Sequence, residues 1–397
     1  MEKQTIIEKQ TMEKPTIIEK QTIIEKQTII DPASIDFWWK GVQNKVDVML
    51  SRGIELAPHS ARSGAYDGLK LDQWISGFWP GMLWILYDLT AEERYKLAAW
   101  EWDIRMERHL LEDNHFHHDV GFQYLPTSVL KYKLTGDMDG RRRGLAAANF
   151  LAGRFNLAGQ FLRAWNRDMT GWAIIDCMMN LSILFWASEE LQDPRFSQIA
   201  CAHADTVIKH MIRGDGSTCH IAVFDPITGE LLEHMGGQGF GQDSCWSRGN
   251  AWALYGMANT YRYTKKEKYL HAAQQVAHHF LSSLPEEMVP PWDFRVPNAS
   301  EAPRDTSAAS IAASGLLELA EVVQAEDANK YRSAAERILK SLSERYTAFD
   351  EPQHEGILRG GTGHKPAETN VNVSLIYGDY YYVEALAKLQ GWKHRVF

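Results

Sequence analysis

From residue 34 almost to the end of the chain, apolar residues recur at helical spacing. A longer period lies over that pattern. A turn rich in Gly, Trp or Asp opens an apolar helix; a short polar turn follows, then an amphipathic helix with Ala along one side. The unit begins at Trp74 (WISGFWPGMLWILYDLT), Asp119 (DVGFQYLPTSVLKYKLT), Asp176 (DCMMNLSILFWASEEL), Cys245 (CWSRGNAWALYGMANTYRYT) and Arg304 (RDTSAASIAASGLLELA). A sixth opening helix, GDYYYVEALAKL, starts at Gly378 without a following partner, and a helix near Ser34–Leu50 can supply one.

One helical hairpin cannot bury its apolar face, so neighbours must stack. Six hairpins closed by the N-terminal helix predict an all-α fold, the (α/α)6 toroid. The more apolar first helix of each pair is expected inside and the charged second helix outside. An open solenoid is the alternative, disfavoured by the closing helix and by the lack of polar capping repeats. In a toroid the inner helix N-termini, carrying Trp74, Asp119, Asp176, Trp246 with Arg248, Asp305 and Asp379, converge on one end of a central cavity. Free N–H groups and the positive dipole end there suit an anion. For any single Asp the simpler role is an N-cap.

Residues 1–33 differ in character. EKQTII stands intact at Glu2–Ile7, Glu19–Ile24 and Glu25–Ile30, with imperfect copies between. Such a repeat builds no core and reads as a disordered or partly helical extension, with oligomerisation as one use. Residues 34–397 form the folded domain.

Composition narrows the partners. A net charge of −9 and a pI near 5.9 argue against nucleic acid and anionic membranes. An acidic ligand must then be met by a few local donors. No apolar run of about 20 residues predicts a membrane span. No signal-like apolar region opens the chain, which suggests a cytoplasmic protein, or a periplasmic one if a leader has been removed. The four cysteines, Cys177, Cys201, Cys219 and Cys245, have no metal-ligand spacing. Fourteen Trp and 15 Tyr fit either helical packing or stacking on sugar faces.

The candidate chemistry is carboxylate chemistry. The chain has no G-x-S-x-G elbow and no P-loop. The run His115–Asp119 (HFHHD) invites a metal reading. Consecutive residues at a helix start are expected to diverge, however, so no metal site is assigned. Two Asp flanking a cavity suit glycosidic chemistry, one kept protonated and the other charged. Asp176 sits among Ile174, Ile175, Cys177, Met178 and Met179, which should raise its pKa as a general acid needs. Asp119 lies in the more polar HHDVGF and is its partner.

These motifs resemble the unsaturated glucuronyl hydrolases of glycoside hydrolase family 88, over about residues 36–390. The resemblance rests on HHDVGF, IIDCMMNL, CHIAVFDPITG, GQGFGQDSCWSRGNAWALYG, PPWDF, PRDTSAASIAASGLLELA and GDYYYVEAL. It implies removal of the unsaturated uronate left at chain ends by polysaccharide lyases. Water adds across the C4=C5 bond, and the product then falls apart. It implies Asp176 as the acid/base and Asp119 as the second essential Asp. His220, Gln238, Trp246, Arg248 and Trp252 match positions lining the uronate site, and Trp74 matches a stacking aromatic. Arg248 is expected to grip the uronate carboxylate with its fork. The family often has His where this chain has Gly237. Thr362, His364 and Lys365 lie in a loop where members differ in handling sulfate. No cofactor is implied, and the protein is expected to be a monomer or small homo-oligomer. The alternatives are an unsaturated rhamnogalacturonyl hydrolase type, a sugar epimerase and a non-catalytic sugar-binding toroid.

Overall fold

The computed structural model describes residues 29–112, 116–166 and 168–397. Most of the predicted extension, residues 1–28, lies outside them. The packed chain begins earlier than the sequence pattern suggests, because Ile30 is buried in the core. Helix α1 then runs Pro32–Ser51, with the Asp31 side chain accepting from Ser34 N at its start.

Six helical pairs follow the sequence pattern. They are α2 (Phe78–Thr90) with α3 (Glu93–Leu111); α4 (Val120–Tyr124) and α5 (Leu130–Thr135) with α6 (Met138–Ala152); and α7 (Cys177–Leu191) with α8 (Pro194–His210). Next come α9 (Ser247–Thr264) with α10 (Glu267–Ser282), α11 (Thr306–Ala320) with α12 (Ala325–Arg345), and α13 (Ile376–Leu389) with α1. A π turn over Leu125–Val129 joins α4 to α5. Pro126 lies in it, where its missing N–H and its ring break the regular hydrogen-bond ladder.

The first helices of the pairs contact one another in order. α2 meets the π turn, α4 meets α7, α7 meets α9, α9 meets α11, α11 meets α13, and α13 returns to α2. They are largely buried, and α11 is buried along its whole length. The second helices keep one face in solvent. Two N-terminal caps among them, Asp137 on α6 and Asp193 on α8, are ordinary side-chain caps.

The purely helical expectation needs correcting. The described residues include three small antiparallel sheets, two of which lend residues to a cavity shared with Trp74, Asp119, Asp176 and Trp246 at the starts of the inner helices. One has the order β2-β1-β9-β8, from β1 (Ala57–Ala61), β2 (Tyr66–Leu69), β8 (Gly361–His364) and β9 (Thr369–Leu375). Another is β5-β6-β7, from β5 (Trp172–Ile174), β6 (Ile221–Phe224) and β7 (Leu231–Met235). The third pairs β3 (Phe155–Asn156) with β4 (Phe161–Leu162). No described helix is long and apolar enough to cross a membrane.

Candidate active site

Asp119 and Asp176 both occupy N-cap positions, of α4 and α7, yet neither side chain caps its helix. For Asp119 the reason is Asn180, one turn into α7. Its Oδ1 accepts from Phe122 N at 2.8 Å, the N–H that an N-cap residue would ordinarily take. Its Nδ2 donates to Asp119 Oδ1 at 3.1 Å. Gly121 permits this close approach: a Cβ there would stand 2.6 Å from Asn180 Oδ1. His118 Nε2 lies 3.0 Å from Asp119 Oδ1, and His117 Nδ1 lies 3.5 Å from Oδ2. Burial alone would raise the Asp119 carboxyl, but His118, with His117 and Asn180, holds it below its usual range.

Asp176 has the opposite setting. Its buried Oδ1 has no hydrogen-bond donor, and His220 Nε2 is 3.7 Å away. Burial, reinforced by the Asp119 charge, pushes the carboxyl up to about 7. His220 is itself driven down to about 3 by burial and by Arg248, so its ring is neutral. His220 Nδ1 accepts from Gln238 N at 2.8 Å, which leaves its proton on Nε2, facing Asp176.

These groups open on one cavity of about 290 Å³. Of the residues singled out from sequence, Trp74, Asp119, Asp176, Gln238, Trp246, Arg248, Trp252 and His364 line it. Three do not. His220 stands behind Asp176, with its ring 4.5 Å from that of Trp246. Thr362 is buried, and its hydroxyl donates to the Arg304 carbonyl. Lys365 is tied to Glu368 at 2.5 Å. Thr362 and Lys365 thus stand outside the cavity lining.

Arg248, expected to grip the uronate carboxylate, lines the cavity and is hydrogen-bonded to protein groups. Nη1 donates to Asp305 Oδ2 and the Thr362 carbonyl, both at 2.6 Å. Nη2 donates to Gln238 Oε1 at 2.9 Å and the Gly363 carbonyl at 2.6 Å. The four N–H groups of the fork are thus committed, and the guanidinium sits over the Trp246 ring at 4.6 Å. Arg248 supports the wall of the pocket and orients Gln238, whose NH2 group is left for a ligand. Asp305 both caps α11 and anchors this arginine.

Residues 57–397 match the family described as Glycosyl Hydrolase Family 88. The chain belongs to that family. It is 36% identical over 325 residues to the unsaturated glucuronyl hydrolase of Bacillus sp. strain GL1, spanning 80% of this chain and 86% of that one. It is 32% identical over 335 residues to the unsaturated chondroitin disaccharide hydrolase of Streptococcus pyogenes serotype M1, covering 83% and 84% of the two. The crystal structure of unsaturated glucuronyl hydrolase from Streptococcus agalactiae matches with a TM-score of 0.88 at 27% identity, covering 98% of each chain. This glycosyl hydrolase family 88 chain is an enzyme of the glycosidase class.

The Gly237 departure from the family pattern has a local cause. Its φ is +56°, and a Cβ there would stand 2.1 Å from His220 Nδ1. A histidine at this position requires a different loop path. Sequence reasoning missed His59, His117, Trp165, Thr369, Asn370 and Tyr377 in the lining, as well as the anchor Asn180. Asn180 had a signal: it lies four residues after Asp176, on the same face of α7. His59, Thr369 and Asn370 come from strands far apart in the chain, and no local pattern joins them.

Proposed function

We propose that this enzyme releases the 4,5-unsaturated glucuronic acid from the non-reducing end of lyase-generated oligosaccharides of the glycosaminoglycan type, by hydrating the C4=C5 bond. The observation that carries the reading is the paired setting of Asp119 and Asp176. One carboxyl is held charged by His118 and Asn180; the other is kept protonated near neutrality by burial and by its partner's charge. An enol ether needs such an acid at carbon. Asp176 gives its proton to C4, and the positive charge that develops at C5 is shared with the ring oxygen. The resulting Asp176 carboxylate takes a proton from the water that attacks C5. The hemiketal then opens and the neighbouring sugar leaves. Trp74, Trp246 and Trp252 offer faces for the sugar, with His364 at the rim.

We read the closed order of helix contacts as the (α/α)6 toroid, with the pocket at the inner-helix N-termini. The test is a panel of plain and sulfated unsaturated disaccharides followed at the ultraviolet band of the conjugated double bond. Hydration removes the band. An epimerase leaves it intact and changes the stereochemistry elsewhere, and that result would overturn the reading.

A further inference from the structure

His117, His118 and Asp119 precede α4 rather than belonging to it, so their side chains need not diverge as they would on a helix. Their ligand atoms gather within 4.8 Å of one another. His118 Nδ1 stands 3.0 Å from the Ala164 carbonyl. A carbonyl only accepts, so Nδ1 carries the proton. His118 Nε2, buried and without an aligned hydrogen bond, is left facing Asp119 Oδ1 at 3.0 Å. His117 Nδ1 accepts from the protonated His118 Nδ1 at 3.1 Å and lies 3.5 Å from Asp119 Oδ2, so an ion there takes over the lone pair that this hydrogen bond uses.

Two imidazole nitrogens and a carboxylate thus converge beside the pocket. Ligands held at about 2.0–2.2 Å in tetrahedral geometry around Zn²⁺ stand roughly 3.3–3.6 Å apart; here His118 Nε2 and His117 Nδ1 lie 3.0 and 3.5 Å from the two Asp119 oxygens, in a group that spans up to 4.8 Å and closes slightly around an ion. The Ala164 carbonyl also plays the outer partner of a metal-binding histidine, fixing its ring through the far N–H. His117 and Asp119 line the cavity, so an ion has a way in.

We propose that His117 Nδ1, His118 Nε2 and the Asp119 carboxylate form a site for a Zn²⁺-class divalent cation. Bound there, the ion occupies Asp119 and the mouth beside it, and it acts as a reversible inhibitor that competes with substrate. The inhibitory part rests on the function proposed above; the binding part does not.

The experiment is a Co²⁺ titration of the full chain, followed by visible absorption, beside His117→Ala and Cys201→Ser. Cys201 is included because it is a partly exposed thiol near Lys266 Nζ, at 3.7 Å, and offers the rival site. The expected result is one equivalent of four-coordinate Co²⁺ bands in the parent and in Cys201→Ser, lost in His117→Ala with its circular dichroism unchanged. Zn²⁺ at ten times its dissociation constant should raise KM about tenfold with kcat unchanged. Absence of the bands, their survival in His117→Ala, or their loss in Cys201→Ser overturns the site. Co²⁺ bands with no effect of Zn²⁺ on an active enzyme overturn the inhibition alone. An inactive enzyme that still shows the bands counts against the proposed function and not against the site.

Discussion

Asp176 Oδ1 and His220 Nε2 face each other across 3.7 Å, both buried and neither hydrogen-bonded. The gap suits a protonated acid: no donor stabilises the anion before reaction, yet one stands ready for the carboxylate that proton transfer leaves. His220→Phe keeps the ring and removes the donor. It should lower kcat by about 10²–10³-fold, as lost preorganised donors do, and raise the apparent pKa of Asp176. A pH–rate profile checks both effects.

The activity of the parent should depend on pH through the same group. The Asp176 pKa is raised to about 7, and the acid form is the reactive one. Activity should therefore fall as pH rises through about 7, with a slope of one proton. Asp119 is held low, so the acid limb should lie in the ordinary carboxylate range or below it. Initial rates across pH 4–9 at subsaturating substrate measure both limbs, as expected for an acid and base tuned apart.

Removing the Asp119 charge should lower the Asp176 pKa, because that charge is the second cause raising it. Asp119→Asn should move the basic limb to lower pH as well as slow the reaction. A basic limb that stays in place would show that burial alone sets Asp176.

Arg248 is predicted to act as a strut. Lysine cannot reach Asp305, Thr362, Gln238 and Gly363 together. Arg248→Lys should loosen β8 and lower kcat/KM by about 10²-fold, the order of loss a misplacement near 1 Å brings. Hydrogen exchange of the β8 amides checks the cause. If β8 stays protected while KM alone rises, the arginine contacts substrate directly.

Asn180→Ala leaves the Phe122 N–H buried without an acceptor and removes the amide donor from Asp119. The expected loss is about 1–3 kcal/mol of stability, readable by urea denaturation, together with a rise in the Asp119 pKa.

Much of this was legible in the chain. The 3.6-residue spacing and the recurring Gly/Trp/Asp turns marked the helical pairs, and both Asp sit at helix starts as expected. The apolar neighbours of Asp176 foretold the direction of its shift. The sheets were missed, although IAVF, a turn at Pro226–Gly229 and LLEHM form a readable hairpin. The helical period on either side masked it. The partners of Arg248 were not legible because Asp305 and Thr362 lie 57 and 114 residues away. His117–Asp119 were set aside on a helical geometry that their backbone does not adopt.

The most direct test of the proton donor is Asp176→Asn, followed at the ultraviolet band of an unsaturated disaccharide, with binding measured on the same preparation. The amide keeps the shape and cannot give up a proton at neutral pH. A rate reduced at least about 10³-fold with affinity retained is the predicted result. A variant within tenfold of the parent would contradict the account, since another group would then be protonating C4.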